Sequence, residues 1–266
     1  MTRSGFACGP ILAATAVALC YTAPAHADDR GYTVRVGLGA QVTPKYPGSD
    51  DFRVSPFPTF GIRKTGDPIG FGAPGDSPGI GLINVGGFQA GPIANFAPER
   101  KAKDVGGPFR KVKATVEAGG FMQFYLDPSI RIRAELRKGL GGHDGLIGSV
   151  GADFIVRDKD NYIFSIGPRA RFSDKKYQRA YFGITPSEAI ASGLPAYRPD
   201  GGFQALGVNA GFLYQFSYHW GITSYARYDR LMDDPGKSPL VRHLGSRDQF
   251  SGGLGLVYTF DIGKIF

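Results

Sequence analysis

Apolar and polar residues alternate along most of this chain, and the apolar ones keep to even-numbered positions. Tyr32, Val34, Val36, Leu38, Ala40 and Val42 open the series, followed by Val112, Ala114, Val116 and Ala118. It continues through Leu146, Val150, Ala152, Phe154 and Val156, then Tyr162, Phe164 and Ile166, and ends at Leu254, Leu256, Tyr258 and Phe260. Successive side chains on a strand point to opposite faces, so residues of one parity share a face. The odd positions hold Thr33, Arg35, Gln41, Lys113, Asn209, Thr223 and Gln249 among many charged residues. Short connections of odd length at 127–129, 157–161 and 217–219 carry that parity from one strand to the next.

The pattern predicts strands at 31–42, 52–64, 68–73, 79–85, 87–97, 112–126, 130–138, 146–156, 162–173, 202–216, 220–231 and 247–260. A soluble sheet would bury its apolar face on a protein core, but the chain supplies only more strands of the same kind. Segments of about ten residues, apolar outside and polar inside, are those of a barrel closed in a bilayer. The expected fold is therefore all-β: an antiparallel transmembrane β-barrel of about 12 strands. Short connections near 65–67, 86, 127–129, 157–161 and 217–219 read as periplasmic turns, and the long ones at 43–51, 98–111, 139–145, 174–201 and 232–246 as outer loops. Thr185-Pro186-Ser187-Glu188 is a capping box with proline in the first helical position, so one short helix is expected over 186–191, ending at Gly193.

The N-terminus reads as an export signal. Arg3 supplies its positive charge, residues 11–21 an apolar stretch too short to span a bilayer, and Ala25-His26-Ala27 a cleavage site. The expected division is a signal peptide over 1–27 and a barrel over 28–266. Both cysteines, Cys8 and Cys20, fall in the signal, leaving no disulfide or Cys-ligated metal in the barrel. Beyond it no apolar run approaches the ~20 residues of a membrane helix, so insertion would be by strands, since only helices and closed barrels satisfy every backbone group in hydrocarbon. Forty glycines suit crowded, bent strands. The terminal Phe266 resembles the aromatic end read by barrel-assembly machinery, with Lys264 interrupting the pattern.

The chain is basic, with a formal net charge of +8. Its arginines alternate along strands instead of clustering on a recognition motif, which argues against nucleic acid and suits a lumen and loops that face anionic outer-membrane lipid and lipopolysaccharide. The inward charges are Glu117, Arg131, Arg133, Glu135, Arg137, Asp153, Arg169, Arg171, Arg227 and Asp229. They read as a satisfied interior network filling a narrow barrel, in preference to a selectivity lining for an anionic solute. Tyr32, Phe124, Tyr162, Tyr214, Phe216, Trp220, Tyr258 and Phe260 crowd the periplasmic strand ends and read as an interfacial aromatic girdle.

Candidate chemistry adds little. Gly70-Phe71-Gly72-Ala73-Pro74-Gly75 has the spacing of a dinucleotide fingerprint but opens no helix. Asp158-Lys159-Asp160-Asn161 lacks the glycine and distal glutamate of a calcium loop and reads as a polar turn. His143 and His243 fall in outer loops and His219 in a periplasmic turn; only Ser238 or Ser246 with His243 and Asp233 or Asp234 offers the makings of a hydrolytic triad. No catalytic residue, cofactor or metal is expected.

Several short segments, in this order and spacing, resemble the MipA/OmpV family of outer-membrane proteins, also called MltA-interacting proteins. They are Gly37-Leu38-Gly39-Ala40, Pro44-Lys45-Tyr46-Pro47-Gly48-Ser49-Asp50, Gly91-Pro92, Glu117-Ala118-Gly119-Gly120-Phe121 and Gly141-Gly142-His143-Asp144-Gly145. Tyr181-Phe182-Gly183-Ile184, Ser192-Gly193-Leu194, Asp233-Asp234 and Ser238-Pro239-Leu240-Val241 complete the set. The resemblance implies a barrel in the outer membrane of a Gram-negative cell, in some members a scaffold linking a lytic transglycosylase to a murein synthase. A non-catalytic scaffold is thus the expected function, and a narrow anion-preferring channel or a surface receptor or adhesin using the outer loops is the alternative.

Overall fold

The computed structural model describes residues 31–263. The expected signal over 1–27, its cleavage after Ala27 and the terminal Phe266 lie outside the described residues. The elements are β1 (Tyr32–Pro44), β2 (Phe52–Pro56), β3 (Thr59–Lys64), β4 (Ile83–Val85), β5 (Phe88–Ala97), α1 (Ala102–Val105), β6 (Thr115–Asp127) and β7 (Ile130–Leu140). There follow β8 (Leu146–Asp158), β9 (Tyr162–Asp174), α2 (Lys175–Phe182), α3 (Pro186–Ser192), β10 (Gly201–Gln215), β11 (Trp220–Leu231), α4 (Asp233–Lys237), α5 (Pro239–Leu244) and β12 (Asp248–Ile262).

All strands belong to one antiparallel sheet of 12, in the order β2-β1-β12-β11-β10-β9-β8-β7-β6-β5-β4, with β3 also on β1. The first and last strands join in a continuous ladder from Tyr32 opposite Ile262 to Val42 opposite Gly252. Even positions face even positions across the rungs, as in Leu38 opposite Leu256 and Ile166 opposite Phe154. The even side chains turn outward: Leu38 is 66% exposed and Val54 73%. The odd ones turn inward, where Arg131 is wholly buried. Such a wall has its oily surface on the outside, as lipid requires. Where strands press together only glycine fits: a Cβ on Gly39 would strike the Leu254 carbonyl. No helix among the described residues is long and apolar enough to cross a membrane.

Two of the expected strands are corrected. The predicted strand 52–64 breaks at Phe57-Pro58 into β2 and β3, since proline lacks the donor that would continue the ladder. The predicted strand 68–73 does not form. After β3 and the turn at 65–67, residues 67–77 fold into the lumen as an irregular strap, and the chain rejoins the wall where the Pro78 carbonyl accepts from Ala94 and where Ile80 and Leu82 donate to Pro92 and Ala90 of β5. The count of 12 is therefore reached by a different division than the sequence pattern gave.

The outer loops hold five short helices, not one. The expected helix is α3, with Thr185 accepting from Glu188 N–H, Glu188 closing the capping box and Gly193 in the left-handed region at φ 75°. Helix α2 is capped by Asp174, which accepts from Tyr177 N–H at 2.9 Å. These helices and loops close over the outer mouth as a packed cap.

Candidate functional site

The lumen is organised by the strap. At its entrance Ile69 N–H donates to Asp160 Oδ1 at 2.9 Å, Arg63 pairs with the same carboxylate at 2.5 Å, and Arg157 donates to the Ile69 carbonyl. Burial opposes the charge on Asp160, but the Ile69 N–H and the Arg63 guanidinium outweigh it and hold the carboxyl below its usual range. The turn read as polar and metal-free is thus the latch of the strap. Ile69 packs with Ile155 and Ile163, flanked by Phe71, Tyr125 and Leu213. Phe71 lies under Arg131, 4.6 Å from ring centre to guanidinium.

At the strap's exit Asp76 pairs with Arg131 at 2.8 Å and accepts from Ala73 N–H at 2.9 Å. Ser77 donates from its N–H and its hydroxyl to the two oxygens of Glu135, at 3.0 and 2.7 Å. Asn209 donates to the Pro74 carbonyl, and Gly75 takes φ +84° against Asn209 and Arg227. The glycine-rich segment that matched a nucleotide fingerprint is the part of the strap threaded through this crowd.

The structure brings every predicted lumen charge into an ion pair. Arg131 joins Asp153 at 2.6 Å, Arg133 joins Glu135 at 2.7 Å, and Arg137 joins Glu117 at 2.8 Å. Arg169 also holds Asp153, while Arg171 and Arg227 share Asp229 at 3.1 and 3.2 Å. Asp76, which the sequence reading did not single out, completes the network from the strap. Beside the strap, and bordered by Asp76 and Arg227 of this network, lies a cavity of about 600 Å³.

Above the lumen, the cap has two apolar clusters. One gathers Val112, Ile147, Tyr177, Tyr181, Phe182, Ala205, Leu231 and Val241; the other gathers Tyr46, Val105, Phe109, Ile184 and Leu240. Most segments that carry the family resemblance meet here. Burial pushes the Tyr181 phenol up to about 12 and raises that of Tyr177. Arg100, lowered by burial, has its guanidinium near the Tyr46 and Tyr181 rings and donates to the Tyr181 and Arg110 carbonyls at 2.8 and 2.9 Å. His143 is buried at the inner side of the cap, accepting from Gly145 N–H at Nδ1 and facing Glu117 at 3.2 Å.

The triad residues are not brought together. Ser238 gives its hydroxyl to the Phe182 carbonyl at 2.7 Å, Ser246 accepts from Asp248 N–H, Asp234 accepts from Asp200 N–H, and His243 is exposed. Among the described residues no cluster of side chains has the makings of a metal site.

The predicted girdle residues sit together at the short-turn end. Tyr162 faces Tyr214, Trp220 faces Tyr258, Val34 faces Phe260, Phe88 faces Phe124, and Tyr32 starts β1. Phe216 and Tyr218 are exposed at the turn beyond them.

The family model described as MltA-interacting protein MipA matches residues 36–260. No curated protein matches the chain. Among solved structures, an outer membrane channel from Pseudomonas putida F1 is similar at 9% identity and TM-score 0.43, over 88% of this chain and 98% of that one. OmpT, an outer membrane protein of Vibrio cholerae, gives 9% and 0.36 over 86% and 96%. The outer membrane protein OprG from Pseudomonas aeruginosa gives 10% and 0.28 over 88% and 98%.

Proposed function

Because the chain belongs to the family of MltA-interacting proteins, we propose that it serves the cell envelope as a non-catalytic scaffold whose periplasmic rim binds a murein-cleaving lytic transglycosylase. The chain is an outer-membrane protein whose wall turns its even, apolar side chains outward. The observation that carries the scaffold reading is the filled interior. The strap is pinned to β7, to the turn between β8 and β9 and to β10, and the cap packs over the outer mouth. A lumen crossed by a strap and capped in this way suits a protein whose envelope role is carried by its rim.

The ten lumen charges are structural in this reading: they neutralise one another and hold the strap. The aromatic ring of side chains fixes the rim at the headgroup level, with outer-membrane lipid around the wall and lipopolysaccharide around the loops. Beyond that ring the turn Ser217-Tyr218-His219 presents an exposed tyrosine, the residue type that anchors protein contacts.

The test is retention of a purified, soluble MltA-type transglycosylase by the folded barrel in nanodiscs. Binding that Tyr218→Ala weakens about tenfold or more is expected. A folded barrel that retains no transglycosylase refutes the scaffold, and anion-selective conductance steps from the same preparation would favour the channel reading.

A further inference from the structure

The cavity beside the strap has features that a packing void does not need. It lies between the strap and the wall made by β1, β3, β9, β10, β11 and β12, and its volume is about 600 Å³, within the ~300–1,000 Å³ range of small-molecule sites. Its apolar surface comes from Phe57, Ile69, Phe71, Ile163, Leu213 and Val257. Into this surface the chain places a cation that the network leaves out. Each arginine among the ten predicted lumen charges has a carboxylate partner and Arg157 is held by the Ile69 carbonyl, but Arg35, which lines the cavity, has only Thr259 Oγ1 at 3.4 Å and no carboxylate within 4.0 Å among the described residues. Nearby, the buried Thr59 hydroxyl, also in the cavity wall, has no hydrogen-bond partner. A half-buried cation without a counter-charge and a buried hydroxyl without a partner are costly, and an anionic group between them would relieve both.

The cavity also reaches a seam in the wall. Among the described residues β3 is laddered only to β1, and β4 only to β5, so no ladder joins β3 to the strand that follows the strap. Phe60 and Ile62 on the outward face of β3 line the cavity together with Pro78 on the far side of the seam. Phe60, Ile62, Ile80 and Leu82 are all exposed toward the surroundings of the wall, Phe60 at 73%. An apolar molecule in the bilayer therefore meets an apolar doorway where backbone pairing is interrupted, the place in a barrel wall that lipid tolerates least.

We propose that this cavity binds a single-chain amphiphile with one carboxylate head, a fatty carboxylate, taken sideways from the bilayer through the β3 seam. The head pairs with Arg35 and accepts from Thr59, and the tail lies along Phe57, Phe71 and Leu213. The proposal is independent of the murein-enzyme reading, since no rim residue takes part.

The experiment uses the full chain in phosphatidylcholine nanodiscs, titrated with cis-parinaric acid and, separately, with its methyl ester. Fluorescence is compared with protein-free discs, and retained folding of each variant is read from its heat-modifiable migration. Saturable binding of the acid above the disc background is expected. Arg35→Ala should weaken it about tenfold or more, and should make acid and ester bind alike. Gly72→Phe should abolish saturable binding while leaving the fold intact, because a Cβ on Gly72 meets nothing within 4 Å and Gly72 lines the cavity. Gly61→Leu, equally open and on the opposite wall, provides a second filled cavity. The proposal is overturned if the acid binds no more than empty discs do, if either filling variant binds like wild type, or if wild type does not distinguish acid from ester.

Discussion

Removing the Asp76 carboxylate tests whether the strap is held by its ion pairs. In Asp76→Ala, Arg131 loses its 2.8 Å partner and Ala73 N–H loses its acceptor at 2.9 Å. Stripping a buried ion of its only partner costs ~3–5 kcal/mol. That figure is an upper bound here, because Arg131 keeps Asp153 at 2.6 Å. A hydrogen bond to a charged group contributes ~1.5–3 kcal/mol, so the loss is set at about 2–3 kcal/mol and is confined to the strap. At 1.36 kcal/mol per decade this raises the strap's open population roughly 30- to 150-fold. Amide hydrogen exchange of the barrel in nanodiscs reads that population. The useful reporters are the amides of Ile69 and Ser77, whose acceptors Asp160 and Glu135 are untouched by the substitution. Both should exchange faster by that factor, while amides of α2 and α3 in the cap keep wild-type rates. Unchanged exchange at Ile69 and Ser77 refutes the idea that the ion pairs seat the strap; uniform acceleration across the barrel refutes the idea that the strap opens on its own.

Two further outcomes follow from the cap and the wall. Burial opposes the charge on Glu188, but the N–H groups of Thr185 and Arg110, the Thr185 hydroxyl and the Arg110 guanidinium outweigh it and hold the carboxyl below its unfolded value of 4.5. A depressed carboxyl stabilises the cap fully above that value and loses its contribution as pH falls below it; hydrogen exchange of α3 should therefore separate wild type from Glu188→Gln at neutral pH and converge in acid, and a gap that persists in acid contradicts this. On the wall, Val150→Arg or Leu256→Arg places a charge on a face that is 46% exposed at each position, costing ~2–4 kcal/mol near the bilayer midplane; urea titration of the refolded barrel should show it, and midpoints equal to wild type would mean that lipid does not touch that face.

The wall was legible because its rule is simple: alternate residues, one parity outward, kept in phase by odd-length turns. The strap was misread as a strand because Ile69, Phe71 and Ala73 also alternate, with Gly70 and Gly72 between them. One clue was present. These apolar residues occupy odd positions, opposite to the wall, so the oily face of the supposed strand would have pointed inward. Pro68, Pro74 and Pro78 added breaks that suit an irregular path. The lumen charges could be named from parity alone, yet their partner Asp76 could not, because a residue outside the ladder has no register to place it. In the cap, α3 announced itself through its capping box, whereas α1, α4 and α5 are too short for a 3.6-residue period to show. In α2, Tyr177 and Tyr181 do share a face, but the lysines, glutamine and arginine among them masked it.

The strap lies early in the chain while its anchors lie late: Ile69 and Asp160 are 91 residues apart, and Pro74 and Asn209 are 135. Contacts across such separations form slowly, since the entropy of closing the loop is lost before any bond forms. A nascent chain emerging from its N-terminus has nothing to dock the strap on until β8 and β10 exist, so seating it is a late event in biogenesis. The β1–β12 ladder that joins the two termini is unbroken, and the gap in the wall lies next to the strap instead. Maturation thus ends with an internal segment finding its berth.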